Sequence, residues 1–437
     1  MKQTDRLVLF PAGTKVKRSG HLEIGGCDTV DLAARFGTPL YIYDENTLRS
    51  QAAAFKNEFN KRYPDILVLY ACKAFLNRAV LQVFEEEGIG LDVVSGGEIA
   101  IAQAAGFPME RVSFPGNNKS AEELKLALES GIGRIVVDNF DELKMLGEIV
   151  QTGGYEQDVL IRITPGVDPH THRYDVTGSV DSKFGFPLMY GEKAITTAMS
   201  IPGLNVAGLH FHIGSQITES KPYEQAISIV IDFAARMAQK HQFKLKELSV
   251  GGGYPVRYTV DCDVPAISDF ADAITKIVVG KCQDAGLSLP HLVIEPGRSM
   301  VAQAGVSLYT VGVIKEVPGI RTYVSVDGGM ADNIRPALYQ SEMEAVVANR
   351  MQAKMLGKYT IAGKFCESGD VLIRDLELPG MDGGDLLAVP GAGAYNISQS
   401  CNYNAFCRPA VIMVKEGSAR LIRRRETVED LIRCDEM

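Results

Sequence analysis

The stretch Ile66-Leu-Val-Leu-Tyr-Ala-Cys-Lys-Ala74 runs an unbroken apolar segment into a lysine. Its first part, Ile66–Ala71, is short and rich in branched and aromatic side chains, so it reads as a buried strand. Lys73 then stands at the strand's C-terminal mouth. Desolvation at such a place favours the neutral amine, and a neutral amine on a rigid strand end can form a Schiff base with an aldehyde. Taken alone, the same residue reads more readily as a surface lysine capping a strand, since most strand-end lysines do nothing. The rest of the chain has to choose between the two.

Outward from this strand, the pattern repeats. Between residues 66 and 295 short β-branched runs alternate with amphipathic segments. The strand candidates are Ile66–Ala71, Leu91–Val94, Arg111–Phe114, Arg134–Val137, Val159–Ile163, Ala207–His210, Glu247–Val250 and Leu292–Glu295. Between most of them lie helix-like stretches. In Asn77–Glu87, Val80, Leu81 and Phe84 share one face, and Ser120-Ala-Glu-Glu123 has the form of a capping box. Strand-then-helix units in this number and rhythm predict an α/β fold, a parallel (β/α)8 TIM-type barrel over residues 40–295, in preference to a doubly wound open sheet.

After Glu295 the texture changes. Val306–Ile314, Arg321–Val326, Asp370–Ile373, Asp385–Val389 and Ala410–Val414 are strand-like runs separated by Gly, Pro and Asp turns. They predict a second, mainly β domain of Greek-key or sandwich-like type over residues 296–437. Strand-like Leu7–Phe10 and Pro39–Tyr43 are expected to pack with it, which makes this domain discontinuous, with residues 1–39 as its first piece.

At 437 residues the chain exceeds the size at which one core stops growing. Its 46% hydrophobic and 23% charged residues are those of a soluble globular protein. A net charge of −9, with no basic stripe, argues against nucleic acid as a partner. Arg423-Arg424-Arg425 runs at once into acidic residues. The eight cysteines show no C-x-x-C pair and no zinc-like spacing. Such scattered thiols, a start without an apolar signal core and no apolar run of ~20 residues together predict a cytoplasmic protein without membrane contact.

In a closed barrel the C-terminal strand ends share one face, and chemistry gathers there. Those ends carry Lys73, Asp92-Val-Val-Ser-Gly-Gly-Glu98, Pro115-Gly-Asn-Asn-Lys119, His210-Phe-His212-Ile-Gly-Ser-Gln216, Gly251-Gly-Gly253 and Glu295-Pro-Gly-Arg298. Three glycines after a strand let the backbone approach an anion, although a plain turn uses them too. Glu295 needs a partner, because an unpaired buried carboxylate is costly, and a protonated ring nitrogen would supply one. His212 could stack on a flat ring. An amine for an aldehyde, glycines for a phosphate and a carboxylate for a ring nitrogen are the handles of pyridoxal phosphate. The His210/His212 pair also admits a metal reading, but His21, His170, His172, His241 and His291 do not fall at other strand ends. No metal is expected.

These motifs resemble those of the fold-type III pyridoxal-phosphate decarboxylases, and within them the branch acting on diaminopimelate. The matching segments are Tyr70–Ala74, Leu91–Glu98, Ser182-Lys-Phe-Gly185, Gly208–Gln216, Gly251–Gly253, Glu295–Ser299, Asp327-Gly-Gly-Met330, Ile334–Tyr339, Cys366-Glu-Ser-Gly-Asp370, Gly391-Ala-Gly-Ala-Tyr395 and Arg408-Pro409. The resemblance implies an alanine-racemase-like barrel with a β domain, and a homodimer with shared active sites. It implies Lys73 as the Schiff-base lysine, His212 on the cofactor ring and Glu295 at the pyridine nitrogen. Gly252, Gly253, Gly297 and the start of the Glu295-Pro-Gly-Arg298 turn would bind the cofactor phosphate, and Ser215 and Arg298 would also belong to the cofactor site. Arg298, Arg335 and Tyr339 would hold a distal carboxylate and Glu367 a distal ammonium, with Tyr395 bordering substrate and cofactor. Bidentate arginines suit a substrate with a second amino-acid head. Cys366, contributed across the dimer, would be the proton donor.

The reaction so implied is decarboxylation of meso-2,6-diaminopimelate to L-lysine and CO2. The alternatives are a related decarboxylase of carboxynorspermidine, ornithine or lysine, or a carrier-bound amino acid. Two departures stand out: Phe75 replaces a frequent Asn after Lys-Ala, and Gln340 replaces a frequent Gly after Tyr339.

Overall fold

In the computed structural model, which describes residues 2–168 and 181–437, the apolar runs of the central region become eight parallel strands. They are β1 (Ile66–Ala71), β2 (Gly90–Asp92), β3 (Val112–Phe114), β4 (Arg134–Val137), β5 (Gln157–Thr164), β6 (Leu204–His210), β7 (Glu247–Ser249) and β8 (His291–Ile294). Each pairs in parallel with the next, and β8 pairs back to β1 through Leu292 opposite Ile66. The sheet is closed. This is the expected (β/α)8 barrel, and the open-sheet alternative is set aside. A short strand, Phe186–Pro187, adds to the rim of β5.

A helix follows each of the first seven strands, from Arg78–Glu86 to Ile267–Asp284. Local chemistry sets several of their starts. Asn77 caps the first by accepting from Ala79 N, and Asn139 caps the fourth by accepting from Glu142 N. Ser120 and Glu123 form the expected capping box. The buried faces are those that helical spacing predicts, with Val80, Leu81, Val83 and Phe84 inward.

Contacts divide the chain into two units. Ala52–Pro255 with Val264–Gly297 form the barrel unit, and Met1–Gln51, Val256–Asp263 and Arg298–Met437 form the β unit. The β unit therefore takes in residues 40–51 and 256–263, which lie within the predicted barrel span of 40–295. For Leu40–Asp44 the reason is strand pairing: it lies antiparallel to Gly305–Val317 and parallel to Ala410–Lys415. The main sheet runs Val371–Pro379, Met355–Ala362, Arg321–Val326, Gly305–Val317, Leu40–Asp44, Ala410–Lys415, Ser418–Arg423. Leu386–Val389 also pairs with Gly305–Val317. Two apolar clusters pack in this unit, one around Leu40, Ile42, Val306 and Ile412, the other around Val324, Ile361, Leu378 and Leu387.

One predicted strand is corrected. Leu7–Phe10 is not extended; Gln3–Leu9 forms a 3-10 helix. Its buried residues, Gln3, Arg6 and Leu9, recur every third position, which is the period of a 3-10 helix. Gln3 and Arg6 are buried because they have partners: Gln3 donates to Arg350 O (2.9 Å) and accepts from Val347 N (2.6 Å), and Arg6 pairs with Glu344 (2.5 Å).

Candidate active site

The strand ends of the barrel unit carry the acid, the imidazoles and the glycines. Glu295, directly after β8, is 6% exposed. Ser249 Oγ donates to its Oε1 (2.6 Å) and His210 Nε2 to its Oε2 (3.1 Å). Burial opposes ionisation of this carboxylate, but the charge and hydrogen bond of His210, with help from Ser249 and His212, outweigh it and hold the group at about 2. Glu295 is thus kept as an anion inside the barrel mouth. Next to it, Asp92 is driven the other way: burial first, then the charge of Glu295, raise it well above the usual carboxylate range.

His212 follows β6 and accepts a hydrogen bond at Nδ1 from Gly252 N (3.1 Å). Burial, then the charges of Lys73 and Arg162, push it well below the ordinary histidine value, so its ring is neutral near pH 7. Neither histidine of the pair needs a metal to explain its place. His170 and His172 lie outside the described residues.

The glycines are required by space. A Cβ on Gly252 would stand 2.1 Å from Glu295 O, and one on Gly253 (φ +111°) 2.5 Å from Gly214 O. Tyr223 donates to Gly252 O (2.7 Å), which fixes the loop from beneath. Gly297 faces Ala71, where a Cβ would come within 3.0 Å. Ala71 N donates to Pro296 O (3.1 Å), so the end of β1 and the turn after Glu295 are tied together.

Lys73 sits in a 3-10 turn, Cys72–Ala74, immediately after β1. Its side chain is exposed. The expectation of an amine desolvated by burial is therefore corrected: Cys72 and Ala74 turn inward and Lys73 projects away from the core. Its charge is nevertheless felt by Asp92, Glu98 and His212.

In the β unit, Arg298, Arg335 and Tyr395 gather around a residue that sequence reasoning missed. The Arg335 guanidinium lies 4.1 Å above the Tyr258 ring, and Arg298 Nη1 donates to Tyr258 Oη (3.3 Å). Arg298 also stacks over Tyr395, at 4.7 Å. Arg335 opens the short helix Arg335–Tyr339 and is 3% exposed. Tyr339 accepts from Gln399 Nε2 (3.5 Å). Cys366 and Glu367 lie exposed on a turn. The carboxylate of Asp370 accepts from Phe365 N (2.9 Å) and Met330 N (2.7 Å), and Asn404 Oδ1 accepts from Cys366 N (2.9 Å).

Residues 46–302 match the sequence model described as "Pyridoxal-dependent decarboxylase, pyridoxal binding domain". The diaminopimelate decarboxylase of Bacillus subtilis (strain 168) is 48% identical over 98% of this chain and 98% of its own. That of Halalkalibacterium halodurans is 46% identical, again over 98% of each. The chain belongs to the diaminopimelate decarboxylase family. Among solved structures, diaminopimelate decarboxylase from M. jannaschi superposes with a TM-score of 0.91 at 36% identity, covering 97% of this chain and 98% of that one. The same protein in complex with L-lysine gives 0.91 as well, at 36% identity over 100% and 99%.

The family's cofactor is pyridoxal phosphate, and the residues present fit it. A carboxylate held ionised suits a protonated ring nitrogen, a neutral imidazole suits a ring face, and the bare backbone at Gly252–Gly253 leaves room for an anion. The missed contributors are His210, Ser249 and Tyr258. His210 carried a signal, since it ends the strand beside Glu295. Ser249 looked like any buried strand residue, and Tyr258 lies in a loop without periodicity.

Proposed function

We propose that this chain decarboxylates meso-2,6-diaminopimelate to L-lysine and CO2, using Lys73, Glu295, His212 and the glycine loop to hold pyridoxal phosphate. The observation that carries the reading is Glu295, kept anionic by Ser249 and His210 at the mouth of the barrel. The identity with diaminopimelate decarboxylases over almost the whole chain supports the substrate.

Lys73 is the amine that would hold the cofactor through its aldehyde. Glu295 would hold the ring nitrogen and His212 would lie against the ring face. Gly252, Gly253, Gly297 and the start of the Glu295-Pro-Gly-Arg298 turn would take the phosphate, with Ser215 and Arg298 also against the cofactor. When bound, the cofactor supplies the sink for the electron pair left as CO2 departs. The protein's own work is to orient the breaking bond and to exclude competing chemistry. Arg298, Arg335 and Tyr339 hold the distal carboxylate, Glu367 meets the distal ammonium, and Tyr395 borders substrate and cofactor. Stacking of Arg335 on Tyr258 and of Arg298 on Tyr395 sets the plane of each guanidinium fork, the geometry in which an arginine meets a carboxylate. Cys366, from the second subunit of a homodimer, returns the proton to the carbon that lost CO2. The enzyme works in the cytoplasm.

The two departures from the family pattern are compatible with this chemistry. Gln340 adopts φ +53°, the conformation glycine takes most easily, so the main-chain path is kept. Phe75 is buried. Purified protein given pyridoxal phosphate and meso-diaminopimelate should release L-lysine, while ornithine and carboxynorspermidine assayed in parallel should not turn over appreciably. Lys73→Ala should abolish the reaction. Full activity in that variant, or faster CO2 release from either alternative substrate, defeats the assignment.

A further inference from the structure

Tyr70 belongs to β1 and is fully buried, with its ring 4.4 Å from that of Phe84. Its hydroxyl does more than fill space. It accepts from Phe75 N (3.0 Å) and donates to Phe75 O (2.7 Å). One side chain thereby grips both polar groups of a single peptide residue, and the chain between them is the turn that carries Lys73. A phenylalanine at 70 would fill the same space without either bond. We propose that Tyr70 is a positioning residue for Lys73: its hydroxyl closes the 70–75 loop and fixes where the amine stands at the end of β1.

The inference rests on Lys73 being the cofactor lysine, and it deepens that reading. Lys73 would have to stand at one fixed point to hold the cofactor, so a loosened turn should lower turnover without weakening substrate binding. The clamp also accounts for Phe75. The grip is on the main chain of residue 75, so the Lys73 turn does not depend on a hydrogen-bonding side chain there.

The test uses the cofactor-loaded, full-length protein. In the wild type, the Phe75 amide should exchange with deuterium far more slowly than expected for an unprotected surface turn. Tyr70→Phe should speed that exchange about tenfold, the scale of one or two lost hydrogen bonds. It should also lower kcat about tenfold with KM for diaminopimelate nearly unchanged. Phe75→Leu, which alters the side chain and keeps the gripped peptide, should leave kcat within about threefold. A Phe75 amide that exchanges freely in the wild type overturns the proposal, whether or not Tyr70→Phe folds. So does a folded Tyr70→Phe variant with unchanged kcat, or a Phe75→Leu loss as large as that of Tyr70→Phe. Inactivity of Lys73→Ala is a separate result: its failure would remove the role of Lys73, whereas failure of the Tyr70 test leaves that role standing.

Discussion

At the scale of single residues, the charge of Glu295 is the feature on which the proposed chemistry turns. Its carboxylate sits at about 2 in the folded protein, against an ordinary 4.5, because His210 and Ser249 bond to it more strongly than burial opposes it. The folded state therefore binds fewer protons than the unfolded one between these values. The stability contributed by this group is complete above about pH 4.5 and is lost as pH falls toward 2. Glu295→Gln should flatten that part of the acid-unfolding curve, measured by circular dichroism. It should also weaken pyridoxal phosphate binding and cut kcat by at least about a hundredfold, since a neutral amide cannot match a positive ring nitrogen. A variant with wild-type turnover removes the role assigned to this carboxylate. Glu295 was legible in sequence because an acid ending an apolar run demands a partner. Its keepers were harder to see. Ser249 and His210 become informative only once closure of the barrel sets the ends of β6, β7 and β8 side by side.

At the scale of elements, the loop after β7 shows how a weak motif becomes a strong one. Three glycines can be a plain turn. Here Gly252 has no room for a side chain, since the added carbon would overlap Glu295 O, and its N–H orients His212. Gly252→Ala should displace the loop at a cost of about 1–3 kcal/mol, raising the Kd for pyridoxal phosphate at least about tenfold while β-unit substitutions such as Leu356→Ala leave it alone. Titration of the cofactor's absorbance on the protein measures this, and an unchanged Kd contradicts it. Barrel strands were readable to within a residue or three because their apolar runs are continuous, as buried parallel strands require. Met355–Ala362 escaped because Leu356, Gly357 and Lys358 all face solvent and its pairing with Val371–Pro379 is broken by register shifts. Leu7–Phe10 misled because an apolar run of that length suits a strand, whereas the deciding spacing was set by the polar Gln3 and Arg6.

At the scale of the whole molecule, the two units are wired differently. Barrel strands pair mostly with their sequence neighbours, and closure needs one long-range step, β8 onto β1. In the β unit, Leu40–Asp44 lies between Gly305–Val317 and Ala410–Lys415, and Lys415 reaches Glu45 across 370 residues. Bringing such distant segments together costs loop-closure entropy before any contact repays it. Within the β unit, the hairpin of Gly305–Val317 with Arg321–Val326 can form locally, but Leu40–Asp44 is not paired on both edges until both distant segments arrive. On refolding from denaturant, pulse-labelled amides of Leu91 and Ile135 should therefore gain protection before those of Tyr41 and Ile42, with a rate difference of at least about tenfold. Deleting residues 410–437 should leave the barrel amides protected and those of Leu40–Asp44 open. If Tyr41 is protected first, or if the deletion leaves it protected, the central strand of the β unit is held by something other than its distant neighbours. Since Arg298, Arg335, Tyr339 and Tyr395, the residues proposed to hold the substrate, all lie in this late-forming unit, recovery of turnover during refolding should follow the protection of Tyr41 and not that of Leu91.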